Sequence, residues 1–371
     1  MKNKINIALF SPNKNPYSET FIQAHKNYLK GNVFYYYGEN ENIELENYPS
    51  LAGKYKIYFL KAIKNILKKE SSFVLVQLLK KSLKKHQIDV VLVEYGMHAQ
   101  QILPAIEKCN LPLVVHFHGY DACKRELLKK NNNYREVFQY ASKVIVVSTV
   151  MKNQLLSIGC PQEKLVYNAN AAQSKFLKVQ PSFKSNQFIS VGRFTNKKAP
   201  YYTILAFKEV LKKYPNAKLL MCGDGLLLEV CKNLVKYHQL ENQIEFLGVI
   251  SSNKLIELFE ESIGYIQHSI TASNGDMEGM PISILEASAS GLPVVSTHHA
   301  GISDVIEDGV TGLLCKEHDV KSMGQNILKL LDDIEMAKKM GQEGKKRIKA
   351  HFSFEKHING IQKLLEMSLK Q

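Results

Sequence analysis

The stretch Glu278-Gly279-Met280-Pro281-Ile282-Ser283-Ile284-Leu285-Glu286, running on through Ala287-Ser-Ala-Ser290 to Gly291-Leu-Pro293-Val-Val-Ser-Thr297, sets the reading of the whole chain. Pro281 suits a first helical turn, where its missing N–H costs nothing. A helix is expected over Ile282–Ser290, stopped by Gly291 and followed by a buried strand over Val294–Thr297. Glu278 then stands just before a helix N-terminus, with the unpaired N–H groups of the first turn beside it. Glu286 stands about a turn and a half inside. Ser283, Glu286 and Ser290 also have the spacing of a solvated stripe on an amphipathic helix, so the pair of glutamates acquires meaning only from the rest of the chain.

Outward from this stretch, short apolar runs alternate with helical patterns. Strands are expected at 5–10, 33–37, 90–95, 113–117 and 144–148, and a second series at 188–191, 218–222, 244–247, 264–266, 294–297 and 312–314. Helical patterns lie between them, among them 20–29, 202–213, 226–238 and 254–261. Such alternation predicts parallel sheets with helices on both faces. The fold class is α/β, with two doubly wound Rossmann-like domains facing across a cleft. Their expected limits are 1–175 and 185–350, joined by a polar linker over 173–187 that contains Pro181. A C-terminal helix over 351–371 is expected to pack back on the first domain. In doubly wound domains ligands bind outside the carboxyl ends of the strands.

The 371 residues are 45% hydrophobic and 23% charged, as in a soluble globular protein. No apolar stretch reaches the roughly 20 residues that span a bilayer, and the basic amino terminus reads as a first strand rather than a signal peptide. The six cysteines form no C-x-x-C pair, a reduced, cytoplasmic pattern that proposes no zinc site. Of the net charge of +14, residues 1–180 carry +13, from 26 Lys/Arg against 13 Asp/Glu. The excess is densest from Lys54 to Lys85, where ten lysines face the single acid Glu70 and are interleaved with Tyr55, Tyr58, Phe59 and Ile66. That composition fits an anionic membrane surface or a plain lysine-rich solvated face. No nucleic-acid motif accompanies it, so nucleic acid is not an expected partner.

Candidate chemistry gathers at the strand ends. Arg193 and Lys198 follow the strand ending at Val191 and could neutralise an anion such as a departing diphosphate. Gly223-Asp224-Gly225 follows the strand 218–222, its glycines permitting close backbone approach, although a plain turn has the same composition. His116 and His118 fall on one face of the strand 113–117 if it persists. Without a third ligand at suitable spacing they propose no metal, and no Asp-x-Asp motif is present. Ser18, before Glu19 and Thr20, is expected to cap a helix. A nucleotide-sugar would use a hydroxyl-binding carboxylate, an anion-binding helix start and a second carboxylate together.

The ordered series Val191-Gly-Arg-Phe with Lys198, Gly223-Asp-Gly225, Glu278-Gly-Met-Pro with Glu286, Gly291-Leu-Pro-Val-Val-Ser-Thr297 and Asp308-Gly-Val-Thr-Gly312 resembles the retaining glycosyltransferases of family four, which have the GT-B fold. Ser18-Glu-Thr-Phe-Ile22 and His116-Phe-His-Gly-Tyr-Asp121 are similar to the colanic-acid and exopolysaccharide subgroup. The resemblance implies a retaining, metal-independent, hexosyltransferase-type enzyme without a cofactor. Such an enzyme moves a sugar from a UDP- or GDP-sugar to a glycan or lipid-linked acceptor in exopolysaccharide or lipopolysaccharide synthesis, on the cytoplasmic face of the plasma membrane. It implies that Glu278 contacts the donor sugar, that backbone around Gly279, Met280, Pro281 and Ile282 lies near sugar and phosphates, and that Glu286 holds the ribose. Arg193 and Lys198 would carry the diphosphate, the loop Gly223, Asp224 and Gly225 would approach the donor, and His118 would line the reacting centre. The sequence departs from the family in Tyr167-Asn-Ala-Asn-Ala-Ala-Gln173, which lacks the usual glycine and acid, and in a first loop without a glycine pair. A nucleotide-sugar epimerase of the same architecture and a non-catalytic nucleotide-sugar-binding protein are the alternative readings.

Overall fold

A computed structural model describes residues 4–14, 19–51 and 53–370; Ser18, expected as a helix cap, lies outside them. The chain divides into two compact units. One comprises the residues up to Val147, Met151–Asn168 and Ile358 onward; the other comprises Ser148–Val150 and Ala169–His357.

In the first unit the strands are β1 (Asn6–Ser11), β2 (Asn32–Tyr37), β3 (Glu44–Leu45), β4 (Val90–Glu94), β5 (Leu113–His116), β6 (Lys143–Val146) and β7 (Leu165–Tyr167). They form one sheet in the order β3-β2-β1-β4-β5-β6-β7. All pairings are parallel except that of the two-residue β3 with β2. Every residue of β4 and β5 is buried, as expected for strands covered on both faces, where Val and Leu can run without a polar alternation. Strand order reverses between β1 and β4, the switch point at which doubly wound sheets open a crevice. The register sets Glu94 beside His116 at that carboxyl edge. The C-terminal residues from Ile358 belong to this unit, where Gln362 accepts from the Lys30 N–H at 2.9 Å.

The second unit holds β8 (Gln187–Val191), β9 (Lys218–Cys222), β10 (Ile244–Gly248), β11 (Gly264–Ile266), β12 (Val294–Thr297) and β13 (Gly312–Cys315). The order is β10-β9-β8-β11-β12-β13 and every pairing is parallel. Here β8, between β9 and β11, marks the switch point. The core beneath it is built from Phe188, Phe194, Phe207 and the apolar faces of the flanking helices. Helix Pro200–Leu211 begins with proline at its first position. Helix Ile282–Ser290 ends at Gly291 with φ of 89°, the left-handed conformation that glycine takes without strain.

Two expectations need correction. The stretch 173–187 is not a free linker: Phe176 and Val179 are buried, Phe176 packs on Phe259, and the Ser182 N–H donates to the Glu260 carbonyl at 2.8 Å. Polar composition hid these two apolar anchors. Pro281 is the residue before the helix rather than in its first turn, with extended ψ of 121°.

Candidate active site

In the second unit, the loop leaving β8 carries Gly192, Arg193 and Lys198, and it is stitched to the loop leaving β9. The Gly192 N–H donates to the Cys222 carbonyl at 2.9 Å, the Phe194 N–H to the Asp224 carbonyl at 2.9 Å, and the Leu227 N–H to the Phe194 carbonyl at 3.0 Å. Gly223 has φ of +132°, and a Cβ there would meet the Gly192 carbonyl oxygen at 2.1 Å. A Cβ on Gly192 would in turn meet Lys198 Cδ at 2.6 Å. Gly223-Asp-Gly225 is therefore more than a turn: its glycines let the two loops and the lysine chain nest. Asp224 itself is exposed and caps the Gly225 N–H at 2.7 Å. A small pocket opens here, lined by Val191, Gly192, Arg193, Lys198, Met221 and Gln267.

Lys198 reaches Gln267 Oε1 at 3.3 Å and Glu278 Oε1 at 3.5 Å. Burial pulls the Lys198 ammonium below its ordinary pKa, opposed by the charge of Glu278. Burial alone would raise Glu278, yet the positive charges around it, Lys198 first and then Lys197, hold it down at about 2. The carboxylate is thus ionised, and its buried Oε1 takes no hydrogen bond within the protein. Its ion-pair partner is the Lys198 ammonium at 3.5 Å. The Tyr265 hydroxyl lies 2.8 Å from Gln267 Oε1, 2.7 Å from Ser283 Oγ and 3.0 Å from the Val191 carbonyl, tying the strand ends to the first turn of helix Ile282–Ser290.

Residues not singled out by sequence hold the Glu278 backbone. The Glu278 N–H donates to His299 Nε2 at 3.1 Å, and His299 Nδ1 lies 2.6 Å from Glu317 Oε1, which fixes the ring's tautomer. Lys197 bridges Asp276 Oδ1 at 2.9 Å and the Met277 carbonyl at 3.2 Å. The Gly301 N–H donates to the Gly279 carbonyl at 3.0 Å, and Asn170 Nδ2 to the Met280 carbonyl at 3.2 Å. Met280 is buried, and Pro281 and Ile282 lead directly into the helix. The polar residues of 299–317 carried a weak signal, a histidine and a glutamate after consecutive strands, but only tertiary structure pairs them.

Glu286 is buried, and so are Ser288 and Ser290. The solvated-stripe reading of this helix therefore fails: only its first residues are partly exposed, because neighbours cover it on all sides. Burial raises the Glu286 carboxyl to about 8, with Lys175 opposing.

His118 lies in the first unit, just past β5. Its Nε2 is 3.0 Å from Glu94 Oε2, His116 Nδ1 is 3.1 Å from the same oxygen, and His25 Nδ1 is 2.6 Å from Oε1. Burial would raise Glu94, but His25 and His116 hold it well below the carboxylate range. Burial keeps His118 neutral, with a pKa lowered to about 4. The ring is held between Phe21 and Tyr95, at centroid distances of 4.5 and 4.6 Å. Tyr95 pays for that position with a φ of +73° and hydrogen-bonds Glu19 at 2.7 Å. Asp121 accepts from the Gly96 and His118 N–H groups at 2.6 and 2.8 Å, and burial lifts its pKa to about 7. The expectation that His116 has no third metal-ligating neighbour is corrected. His25, Glu94 and His116 have donor atoms within 4.8 Å of one another and form a set that could hold a metal ion. Spacing in sequence could not show this, since the three come from different elements.

Residues 47–171 match the family model for Glycosyltransferase Family 4, and residues 173–347 match that for Glycosyl transferases group 1. The chain is thus similar to both glycosyltransferase families, to each over one part of its length. It is 31% identical over 215 residues to a protein of Salmonella typhimurium named as a colanic acid biosynthesis glycosyltransferase, across 57% of this chain and 53% of that one. The chain thus spans about half the length of this curated relative. An uncharacterized glycosyltransferase of Methanocaldococcus jannaschii is 28% identical across 89% of this chain and 87% of its own. Among solved structures, an Anabaena protein in complex with UDP-glucose superposes with a TM-score of 0.76, at 16% identity, over 98% of this chain and all of that one. That likeness shows the fold.

Proposed function

We propose that the chain is a retaining glycosyltransferase that moves a sugar from a UDP- or GDP-sugar to a glycan or lipid-linked acceptor of a surface polysaccharide. The observation that carries this reading is the ionised, hydrogen-bond-deficient Glu278 beside Lys198 and Arg193 at the switch point of the second unit. Lys198 and Arg193 face the diphosphate, whose negative charge grows as the bond to the anomeric carbon breaks, so their stabilisation is strongest in the transition state. Glu278 accepts hydroxyls of the transferred sugar, and the helix start at Ile282 offers N–H groups to sugar and phosphate. Glu286 holds the ribose, and the loop Gly223–Gly225 borders the donor.

In this reading the acceptor hydroxyl attacks the face from which the diphosphate departs, its proton passing to the leaving phosphate oxygen, so configuration is retained. No metal enters the step, because lysine and arginine supply the positive charge. Neutral His118 lines the reacting centre without bringing a charge to it. The names of the Salmonella relative and the UDP-glucose complex support the acceptor class and the donor class respectively.

Thermal-shift measurements with UDP, GDP and ADP and their sugars test the donor: a ligand of the native state raises the melting temperature. No response to any nucleotide diphosphate contradicts the proposal. Product analysis separates transfer from epimerisation, which needs no acceptor and releases a rearranged sugar.

A further inference from the structure

The helix Lys54–Ile66 is apolar on two faces, and the first unit covers only one of them. Ile57 and Leu60 turn inward and pack, with Leu51 and Phe73, against Val74 and Leu78. On the other side Tyr55, Tyr58, Phe59, Ala62 and Ile66 follow the i, i+3, i+4, i+7, i+11 spacing of a single helical stripe. That stripe faces outward: Tyr55 is 92% exposed, Tyr58 69%, Phe59 64% and Ile66 78%. Leu67 extends it past the helix end. Scattered exposed apolar residues are ordinary, but a contiguous stripe of large ones marks an interaction surface.

The charge around the stripe names the partner. Lys68 and Lys69, just past the helix's C-terminal end, are both exposed. Lys61 is paired with Glu41 and is left out of account. Aromatic rings beside lysines on a short surface helix are the composition that settles at the level of lipid headgroups, rings at the acyl boundary and ammonium groups on the phosphates. No helix among the described residues is long and apolar enough to cross a membrane, so any attachment through this helix lies on the surface. A protein partner would more often be met by a stripe with few lysines at its rim.

We infer that the outward stripe Tyr55–Tyr58–Phe59–Ile66–Leu67, with Lys68 and Lys69, is an interfacial anchor that seats the first unit on an anionic lipid surface. The inference goes beyond the lysine excess of the region, which by itself fits any solvated face, and it rests on the proposed lipid-linked acceptor only for its purpose.

The chain contains no tryptophan, so Phe59→Trp in the full chain gives a single reporter. With vesicles of phosphatidylcholine and phosphatidylglycerol its emission should shift to the blue, and far less with phosphatidylcholine alone. In co-sedimentation, Tyr58→Ser with Phe59→Ser should weaken binding to the mixed vesicles by about tenfold or more. Lys68→Glu with Lys69→Glu should abolish the preference for anionic lipid. A normal melting temperature of these surface variants shows that the fold is kept. No blue shift and no sedimentation of the unaltered chain would overturn the inference, as would serine variants that bind equally well. A concentration-dependent dimer dissolved by the serine variants would overturn it too, by assigning the stripe to a second copy. Failure of the donor reading would show as absent nucleotide response with vesicle binding intact, so the two can fail separately.

Discussion

Lys198 and Glu278 each favour the charged form of the other against the cost of burial: their Nζ and Oε1 atoms stand 3.5 Å apart, both largely out of water. Removing one partner strands the other. Lys198→Met should therefore destabilise the protein by about 3 kcal/mol in urea denaturation. The double change Lys198→Met with Glu278→Met should cost less than the sum of the two single changes. Additive losses would show that the pair is not coupled.

The two glutamates should give opposite pH signatures. Glu278 has a folded pKa of about 2 against 4.5 ordinarily, so its contribution to stability is full above pH 4.5 and is lost as pH falls toward 2. Glu286 is raised from 4.5 to about 8. Between those values the native state holds more protons than the unfolded chain, so stability falls as pH rises, by roughly 1.4 kcal/mol per unit at most. Glu286→Gln should flatten that limb, and it should weaken nucleotide binding if the carboxyl holds the ribose. Melting temperatures from pH 5 to 9 check the first, and calorimetric titration with the nucleotide checks the second.

His299 should act through Glu278 rather than on substrate. His299→Phe leaves the buried Glu278 N–H without its acceptor, at a cost of about 1–3 kcal/mol, and releases the Glu278 loop. The expected result is a loss in kcat/KM for the donor larger than that of a surface control of equal stability. Glu317→Gln, which keeps an acceptor for His299, should be milder. Equal effects of the two would contradict the positioning role.

Gly192→Ala tests the nesting of the loops. The new methyl would press on Lys198 Cδ, which can move, rather than on backbone. Stability should change little, while nucleotide affinity falls with the displacement of the ammonium. Gly223→Ala presses on the Gly192 carbonyl at a positive φ and should instead lower the melting temperature. Nucleotide titration alongside melting curves distinguishes the two cases.

The strands were legible almost residue by residue, because runs such as Val90–Glu94 are buried on both faces and therefore continuously apolar. The two-residue β3 and the three-residue β7 carry too little pattern to announce themselves, and neither was among the expected strands. Gly291, in the left-handed conformation, ends the helix Ile282–Ser290 where glycine was expected to stop it. Glu286 was legible as a carboxylate in an apolar helix, but its burial was not, since three polar residues at helical spacing look solvated until neighbours are placed over them. Lys198 and Glu278 could be proposed separately, while their contact is tertiary. The same is true of Glu94: a strand-ending glutamate gave no hint that His25, His116 and His118 converge on it.

Donor turnover by Glu278→Ala tests the central claim most directly, measured as release of nucleotide diphosphate from the sugar donor that the thermal-shift screen identifies. The account predicts a folded protein that still binds the nucleotide through Arg193 and Glu286 but turns over at least about a hundredfold more slowly. Turnover near that of the unaltered chain, in a variant that is still folded at the assay temperature, would contradict it.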